Sequence, residues 1–236
     1  MILCLREQQD ALADAQYLQD MQISALAAPV MQIVSEDAEI PELADCQGLI
    51  YTSRYAINPV HTRLSQRAFC VGPGSAKHAR ANGFTEIITG TGGAEDLIQQ
   101  ITHRCQPEAG PLYWPHGRIT ATDIAEALGQ TGFNVVDDIV YHLTPMAAFP
   151  DEVMQAITAG EVTSVMCMSV QHLIQFAKML ADTELWHHHK HWVLYAPSKR
   201  VADAVPAAWA DCQIAKTANR QAVLDMIISR AEQSRM

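Results

Sequence analysis

The chain has 236 residues, 49% of them hydrophobic and 18% charged, with a formal net charge of −10, which allows one large or two small domains with substantial cores. An acidic chain is not expected to bind nucleic acid, which is normally met by a basic face. The sequence has no run approaching the roughly 18 apolar residues of a membrane span, so we expect neither a nucleic-acid nor a membrane partner.

Short β-rich runs alternate with amphipathic stretches along the chain, a pattern typical of parallel α/β units. The predicted strands, in chain order, are MILCL, GLIY, AFCV, EIIT, PLYW, NVVDDIVYHL, SVMCM, HWVLY and CQIAK. The predicted helices span residues 8–20, 76–82, 94–102, 122–131, 170–180, 199–208 and 220–232. Gly83, Gly132 and Gly160 stand where helices are expected to end.

The beginning of the chain and its cysteines favour a cytoplasmic protein. The segment MILCLREQQD reaches charged residues too early for a signal peptide. The cysteines are scattered without a C-x-x-C pair, so we expect small buried residues in a reducing compartment and no disulfide framework. They are Cys4, Cys46, Cys70, Cys105, Cys167 and Cys212.

The segment AFCVGPGSAKHARANGF, residues 68–84, has the form of a strand, a glycine-rich turn and a helix. Gly72 and Gly74 would let a ligand approach the backbone, and a helix starting near Ser75 would point N–H groups at an anion. The segment matches neither a P-loop nor a dinucleotide fingerprint, because Lys77 stands where a third glycine would be needed. A purely structural turn and a ligand contact both remain open.

A weak internal repeat places four serines at similar junctions. GLIYTSRYAINPV and AFCVGPGSAKHARANGF are matched later by SVMCMSVQHLIQF and HWVLYAPSKRVADAV. The serines near the helix starts would either cap the helices or share the N–H groups with an incoming carboxylate. Two similar domains facing each other would form a ligand cleft lined by these ends. The four serines are Ser53, Ser75, Ser169 and Ser198.

The histidine-rich segment WHHHKH, residues 186–191, suggests a metal site at first sight. Zinc ligands on successive residues of a loop rarely converge, and no cysteine or acidic partner has suitable local spacing. We therefore predict a polar connector before the strand HWVLY and no metal site.

The order and spacing of several segments resemble the uroporphyrinogen-III synthase family along nearly the whole chain. The segments are ILCLR, LIYTSRYAI, VGPGSAKHARANGF, LYWPHGR and DIAEALGQTGFNVVDDIVYHLTP, followed by the second serine-bearing strand and helix. The best single marker is Gly132 with the following VVDDIVY, which ends at Tyr141.

The resemblance implies an α/β fold of two similar domains with parallel sheets, joined by a two-strand connector. The first domain would be discontinuous, residues 1–34 and 146–236, with the second domain, residues 35–145, inserted between its parts. The extended stretches 29–35 and 140–145 would form the connector, and Pro29 and Pro145 punctuate them. Thin connectors also predict relative motion of the domains.

The resemblance further implies a hydro-lyase of tetrapyrrole and haem biosynthesis. It would close linear hydroxymethylbilane, with loss of water and inversion of the terminal pyrrole ring through a spiro intermediate, to give uroporphyrinogen III. The reaction implies no cofactor and depends mainly on positioning. We expect a monomer, and a transient contact with hydroxymethylbilane synthase is left open. A non-catalytic binding or sensor protein for an anionic metabolite, built on the same scaffold, is the alternative.

The family positions assign one catalytic group, Tyr141, whose phenol would hydrogen-bond or protonate the departing hydroxyl; a packing role at the hinge is its alternative. The substrate has eight carboxylates, and positive charge for them would come from Arg6, Arg54, Lys77, Arg118, Lys199 and Arg200. The residues assigned to substrate binding are Arg6, Thr52, Ser53, Gly72, Gly74, Ser75, Gly117, Arg118, Ser169, Ser198 and Lys199.

Two departures from the family pattern affect this assignment. In the second repeat, APSKRVA replaces a usual Gly-Pro-x-Thr-Ala, so that Ser198 aligns with the glycine and Val201 with the threonine. Leu5 stands where a threonine often precedes the arginine. Neither Val201 nor Leu5 carries a side-chain hydroxyl to donate.

Overall fold

The computed structural model describes residues 1–183, 185–205 and 208–233, and within them the chain forms parallel sheets and helices. The strands are β1 Ile2–Leu5, β2 Ala25–Ala27, β3 Met31–Ser35, β4 Gly48–Tyr51, β5 Arg67–Cys70, β6 Glu86–Thr89, β7 Leu112–Gly117, β8 Val135–Pro145, β9 Ser164–Cys167, β10 Val193–Ala196 and β11 Asp211–Ile214. The helices are α1 Gln8–Asp20, α2 Pro73–Ala81, α3 Ala94–Arg104, α4 Ile124–Gly129, α5 Asp151–Thr158, α6 Val170–Ala181, α7 Lys199–Ala202 and α8 Arg220–Gln233.

The chain divides into two compact units, and unit 1 comprises Met1–Ile33 and Thr144–Met236. Its sheet has the strand order β11-β10-β9-β1-β2, and the neighbouring strands are parallel. Strand β1 is fully buried because apolar groups cover both of its faces. Leu3 and Leu5 pack with Leu173 and Phe176 of α6 on one face, and Cys4 packs with α1 and α8 on the other.

Unit 2 comprises Val34–Leu143. The six-stranded sheet has the order β3-β8-β7-β4-β5-β6, and the pairs from β8 to β6 are parallel. Helices α3 and α4 pack on one face through residues such as Leu97 and Leu128, while α2 packs on the other face. Of the two stretches expected to pair as a connector, residues 31–35 lie in β3 and residues 140–145 lie in β8, and these strands are neighbours in this sheet.

The structure confirms the parallel α/β class and each of the nine predicted strands, with ends shifted by up to three residues. The expected helix ends at Gly83, Gly132 and Gly160 are confirmed, since these glycines have φ of 93°, 91° and 71°. The three-residue strand β2 and the eight-residue helix α5 were not predicted. Helix α7 ends at Ala202, well before the predicted end at residue 208, and residues 206 and 207 lie outside the described part.

One local expectation is corrected by the structure. Five cysteines are buried as expected, but Cys212 is exposed on β11, a strand at the sheet edge. The histidine-rich segment does connect to β10 as expected, and it does so as a 3-10 helix, Leu185–His191, in which His189 is buried. In the part of the chain that the structure describes, no group of three or more His, Cys, Asp or Glu could hold a metal ion. None of the described helices has the length and apolar character needed to cross a membrane.

Candidate functional site

The strongest candidate site in unit 2 is a cavity of about 310 Å³ at the carboxyl ends of β4, β5 and β7. In a parallel sheet this edge is where ligands usually bind, since the loops after the strands converge there. The cavity brings together four residues assigned from the sequence: Thr52, Ser53, Gly117 and Tyr141. The rest of the described lining is Val71, Gly92, Ala94, Ile119, Thr120, Ala121, Thr122 and Ile124.

Tyr141 lies against the backbone of Gly117. The ladder between β7 and β8 shifts register between His116 and Gly117, so that His116 pairs with Ile139 and Gly117 pairs with Tyr141. A Cβ added at Gly117 would lie 2.6 Å from Tyr141 Cζ and 2.8 Å from its hydroxyl oxygen. Only a residue without a side chain allows this approach, so Gly117 holds the phenol at the cavity by leaving room for it.

Thr52 and Ser53 follow β4 and line the cavity. Thr52 Oγ1 accepts a hydrogen bond from Trp114 Nε1 at 3.2 Å. Ser53 Oγ accepts one from the Tyr55 amide at 3.2 Å and caps a 3-10 helix, Arg54–Ala56. Each hydroxyl oxygen accepts a hydrogen bond within the protein, so each O–H can still donate a hydrogen bond to a ligand oxygen.

The glycine-rich segment after β5 is only partly as expected. Gly72 is the N-cap of α2 with extended backbone, but the helix begins at Pro73, so Gly74 and Ser75 are helical residues. Ser75 is buried and Gly74 is exposed with no atom within 4 Å of an added Cβ. The backbone of Gly74 does not have a positive φ. Gly72, Gly74 and Ser75 do not line the 310 Å³ cavity.

Arg118 is held by an acidic partner within unit 2. Its guanidinium forms a short ion pair with Glu36, whose carboxylate also lies 2.7 Å from His142 Nδ1. The hydrogen bonds from Arg118 and from His142 keep the pKa of Glu36 below its ordinary value. The Arg118 amide also donates to the Tyr141 carbonyl at 2.9 Å. Arg118 therefore supports the backbone of Tyr141 and does not line the cavity.

Unit 1 has a comparable cavity of about 460 Å³ at the carboxyl ends of β9 and β10. It contains Ser169 and Ser198, the serines of the second repeat. Ser169 Oγ caps α6 by accepting a hydrogen bond from the His172 amide at 3.2 Å, whereas Ser198 makes no capping bond. The other lining residues are Met168, Val170, Gln171, Pro197, Arg200, Val201 and Ala218.

The remaining two assigned cations of unit 1 are engaged by carboxylates. Arg6 Nη2 lies 2.5 Å from Asp10 Oδ2, and its Nη1 lies 3.5 Å from Asp14 Oδ2. Lys199 Nζ lies 2.8 Å from Asp203 Oδ2, one helical turn away. Neither Arg6 nor Lys199 lines the 460 Å³ cavity. Because their charge is already matched, these two side chains have less to offer an anionic ligand than the sequence indicated.

A buried pair lies beside Arg6 and joins α1 to α6. Glu7 Oε1 is 3.3 Å from His172 Nε2, and both side chains are largely buried, with 12% and 8% of their surface exposed. Burial by itself would raise the pKa of Glu7, but the hydrogen bond and charge of His172 outweigh it and lower that pKa to about 2. The pair therefore holds Glu7 ionised at neutral pH.

Several cavity residues were missed by sequence reasoning. Ile119, Thr120 and Thr122 lie in the loop between β7 and α4, and Ile119 has 93% of its surface exposed. Tyr55 packs edge-on against Tyr141, with ring centroids 5.9 Å apart. The threonine-rich stretch RITATD was a usable signal, because it follows a strand end in a parallel sheet.

Comparison with known proteins gives one family and several similar structures. A family model described as Uroporphyrinogen-III synthase HemD matches residues 13–225. The chain is similar to the uroporphyrinogen-III synthetase of Helicobacter pylori 26695, with a TM-score of 0.56 and 14% identity over 88% of this chain and 92% of that chain. Among curated proteins the comparison gives no match.

Two structures from the extremely thermophilic bacterium Thermus thermophilus are also similar to this chain. A mutant uroporphyrinogen III synthase has a TM-score of 0.49 and 15% identity, with 99% of each chain covered. The wild-type protein has a TM-score of 0.43 and 14% identity, with 100% of each chain covered. At 14–15% identity these similarities concern the fold alone. Of these three structures, that of the Helicobacter pylori protein has a TM-score above 0.5, so the comparison of folds rests on it.

Proposed function

We propose that this chain, which belongs to the uroporphyrinogen-III synthase family, catalyses the closure of hydroxymethylbilane to uroporphyrinogen III. The linear tetrapyrrole loses water, its terminal ring is inverted, and the macrocycle closes. No external redox partner is needed, because the substrate supplies both the electrophilic carbon and the attacking ring carbon.

The observation that carries this proposal is the convergence of Tyr141, Thr52 and Ser53 on one cavity of unit 2. These three hydroxyl groups are hydrogen-bond donors without a permanent charge. A hydroxyl that leaves a carbon atom needs such donors, because negative charge develops on its oxygen in the transition state.

Tyr141 is the proposed proton donor. As the carbon–oxygen bond of the hydroxymethyl group breaks, the bonding electrons go to oxygen, and the phenol gives its proton to form water. The electrons of the pyrrole nitrogen form the azafulvene, and the pyrrole N–H proton returns to the phenolate directly or through water. The protonation state of Tyr141 is thereby restored, and one molecule of water is lost overall.

Selection of the product isomer is a matter of geometry. The substituted carbon of the terminal ring must attack the azafulvene carbon to form the spiro intermediate. The original bond from that carbon to its methylene bridge then breaks, the bridge carbon bonds to the free carbon of the ring, and the proton lost from the free carbon restores the pyrrole N–H. Direct attack by the free carbon gives the uninverted isomer. A cavity wall that keeps the free carbon away accelerates one attack over the other. Ile119 and the threonines at positions 120 and 122 provide such a wall next to Tyr141.

The test is an isomer analysis. Hydroxymethylbilane, generated enzymatically, is incubated with the protein, the products are oxidised, and the uroporphyrin isomers are separated. Isomer III in excess is the expected result. Isomer I alone, as in the protein-free control, would overturn the proposal; retained binding of uroporphyrinogen III in that case would favour the binding or sensor function instead.

A further inference from the structure

Six basic side chains were candidates for binding an anionic substrate, and the structure separates them. Three are held by carboxylates of the protein itself: Arg6 by Asp10 and Asp14, Arg118 by Glu36, and Lys199 by Asp203. The guanidinium of a fourth, Arg54, lies 4.9 Å from the centroid of the Tyr55 ring. Lys77 is exposed on α2 and lines neither of the cavities at the strand ends.

Arg200 differs from the other five. It lines the 460 Å³ cavity of unit 1 at the carboxyl ends of β9 and β10, and it is exposed. Within residues 1–183, 185–205 and 208–233, it forms no ion pair with another side chain. The positive charge of Arg200 is therefore not matched by any described carboxylate.

The chemistry of this cavity suits an anion. Its described lining contains no acidic residue, and Arg200 is the one charged side chain in it. The hydroxyls of Ser169 and Ser198 lie in the same lining, and each has a hydrogen atom to donate. A guanidinium forms paired hydrogen bonds with a carboxylate, in a planar geometry that an ammonium group does not reproduce.

We propose that Arg200 binds a carboxylate of the tetrapyrrole in the 460 Å³ cavity, together with the hydroxyls of Ser169 and Ser198. The inference rests on the proposed function for the identity of the ligand. It replaces Lys199, the assigned cation of this segment, by its neighbour in the sequence. The physical reason is that Lys199 forms an ion pair with Asp203, the residue that follows α7. Arg200 instead lines a cavity whose described lining has no acidic group.

Adjacent substitutions test this proposal with matched changes of charge. Arg200→Gln and Lys199→Gln each remove one positive charge at an exposed position of α7. The dissociation constant of uroporphyrinogen III is measured anaerobically, at low and at high salt, together with the melting temperature. For Arg200→Gln we expect weakening of about 10-fold or more, the usual effect of losing a hydrogen bond to a charged group. For Lys199→Gln we expect less than about 3-fold, as for an exposed ion pair.

The controls separate this inference from the proposed function. Both variants should melt within a few degrees of the wild type, since neither side chain is buried. Arg200→Lys should recover part of the affinity, because lysine keeps the positive charge but cannot form the paired, planar hydrogen bonds of a guanidinium. If the wild type makes isomer III but the two Gln substitutions weaken product binding equally, or Arg200→Gln does not weaken it, the role of Arg200 is overturned and the proposed function stands. A wild type that neither binds the product nor makes isomer III would overturn both proposals.

Discussion

Gly117 and Tyr141 are paired across β7 and β8 so closely that a Cβ on the glycine would lie 2.6 Å from Cζ of the tyrosine ring. Carbon atoms do not approach to that distance without repulsion, so any side chain at position 117 must displace the phenol or bend the strands. The position of the proposed proton donor thus depends on the absence of one methyl group.

Gly117→Ala should therefore damage both activity and stability. We expect a loss of about 1–3 kcal/mol in the free energy of unfolding, typical of overpacking. We also expect the rate of isomer III formation to fall by more than the fraction of folded protein does. Denaturant unfolding and the isomer assay are the two measurements. The control is Gly129→Ala in α4, where an added Cβ meets no atom within 4 Å; it should be neutral or stabilising, by up to about 1 kcal/mol. Equal behaviour of the two variants would contradict the role of Gly117.

Tyr141→Phe removes one oxygen atom and leaves the ring. If the phenol were the main proton source, the rate would fall roughly 10²-fold or more. We expect a smaller loss, because water and the neighbouring hydroxyls of Thr52 and Ser53 can donate when positioning does most of the catalysis. The measurement is the single-turnover rate of isomer III formation. Tyr55→Phe is the matched control, because the Tyr55 hydroxyl accepts a hydrogen bond from Arg54 Nη2 at 3.0 Å and Tyr55 does not line the cavity. Unchanged activity in Tyr141→Phe would remove the tyrosine from the chemistry.

Gly74 offers a test of whether the glycine-rich segment contacts the substrate. The residue is helical and exposed, and an added Cβ would meet no protein atom within 4 Å. Gly74→Ala should raise the free energy of unfolding by about 0.5–1 kcal/mol through helix propensity. Because the protein leaves that space open, weaker binding of uroporphyrinogen III in this variant would have to come from a clash with the ligand. Higher stability with unchanged affinity would show that the segment is scaffold alone.

Ser75→Ala complements that experiment. Ser75 is buried in the first turn of α2, but the N-cap is Gly72 and no capping hydrogen bond from the Ser75 hydroxyl is found among the described residues. We therefore expect a melting temperature within a few degrees of the wild type, a change of less than about 1 kcal/mol in the free energy of unfolding, and an intact product affinity. Reduced affinity at an unchanged melting temperature would return Ser75 to the binding site.

His61 predicts a dependence of stability on pH. It is buried against Tyr51, with the Tyr51 hydroxyl 3.0 Å from His61 Nδ1, and burial lowers the pKa of His61 to about 4 from 6.5. Between these values the unfolded chain binds the proton and the folded chain does not. The contribution is therefore fully present above about pH 6.5 and is lost as the pH falls towards about 4.

His61→Gln should flatten this part of the stability curve, because the amide does not titrate and can still bond Tyr51. Chemical denaturation at a series of pH values between about 4 and 7 gives the slope for each protein. His103→Gln, at an exposed position of α3, is the control and should keep the wild-type slope. A slope in His61→Gln as steep as that of the wild type would contradict the assignment.

Local sequence pattern was sufficient for the fold class, because strand and helix periodicity is set by neighbouring residues. The buried run GLIY, the alternation of strands and helices and the glycines with positive φ all belong to this level. The two missed elements differ in this respect. Strand β2 has only three residues, too few to show a periodic pattern, and its packing in the sheet stabilises it. Helix α5 did carry usable signals: Asp151 and Glu152 in its first turn, Val153, Ala156 and Ile157 on one buried face, and Gly160 just after its end.

The candidate site shows the same division. Local sequence pattern was enough to place Thr52 and Ser53 directly after β4 and Tyr141 within β8. Which positive charges can meet an anionic ligand follows from the three-dimensional packing alone: Arg6 and Lys199 pair with carboxylates of their own unit, and Arg200 lines a cavity whose described lining has no acidic group. That packing likewise decided that Gly117 makes room for Tyr141, two residues far apart in the chain that β7 and β8 bring into register. Pairing of charges and close approach between strands depend on distances in space, which spacing along the chain does not specify.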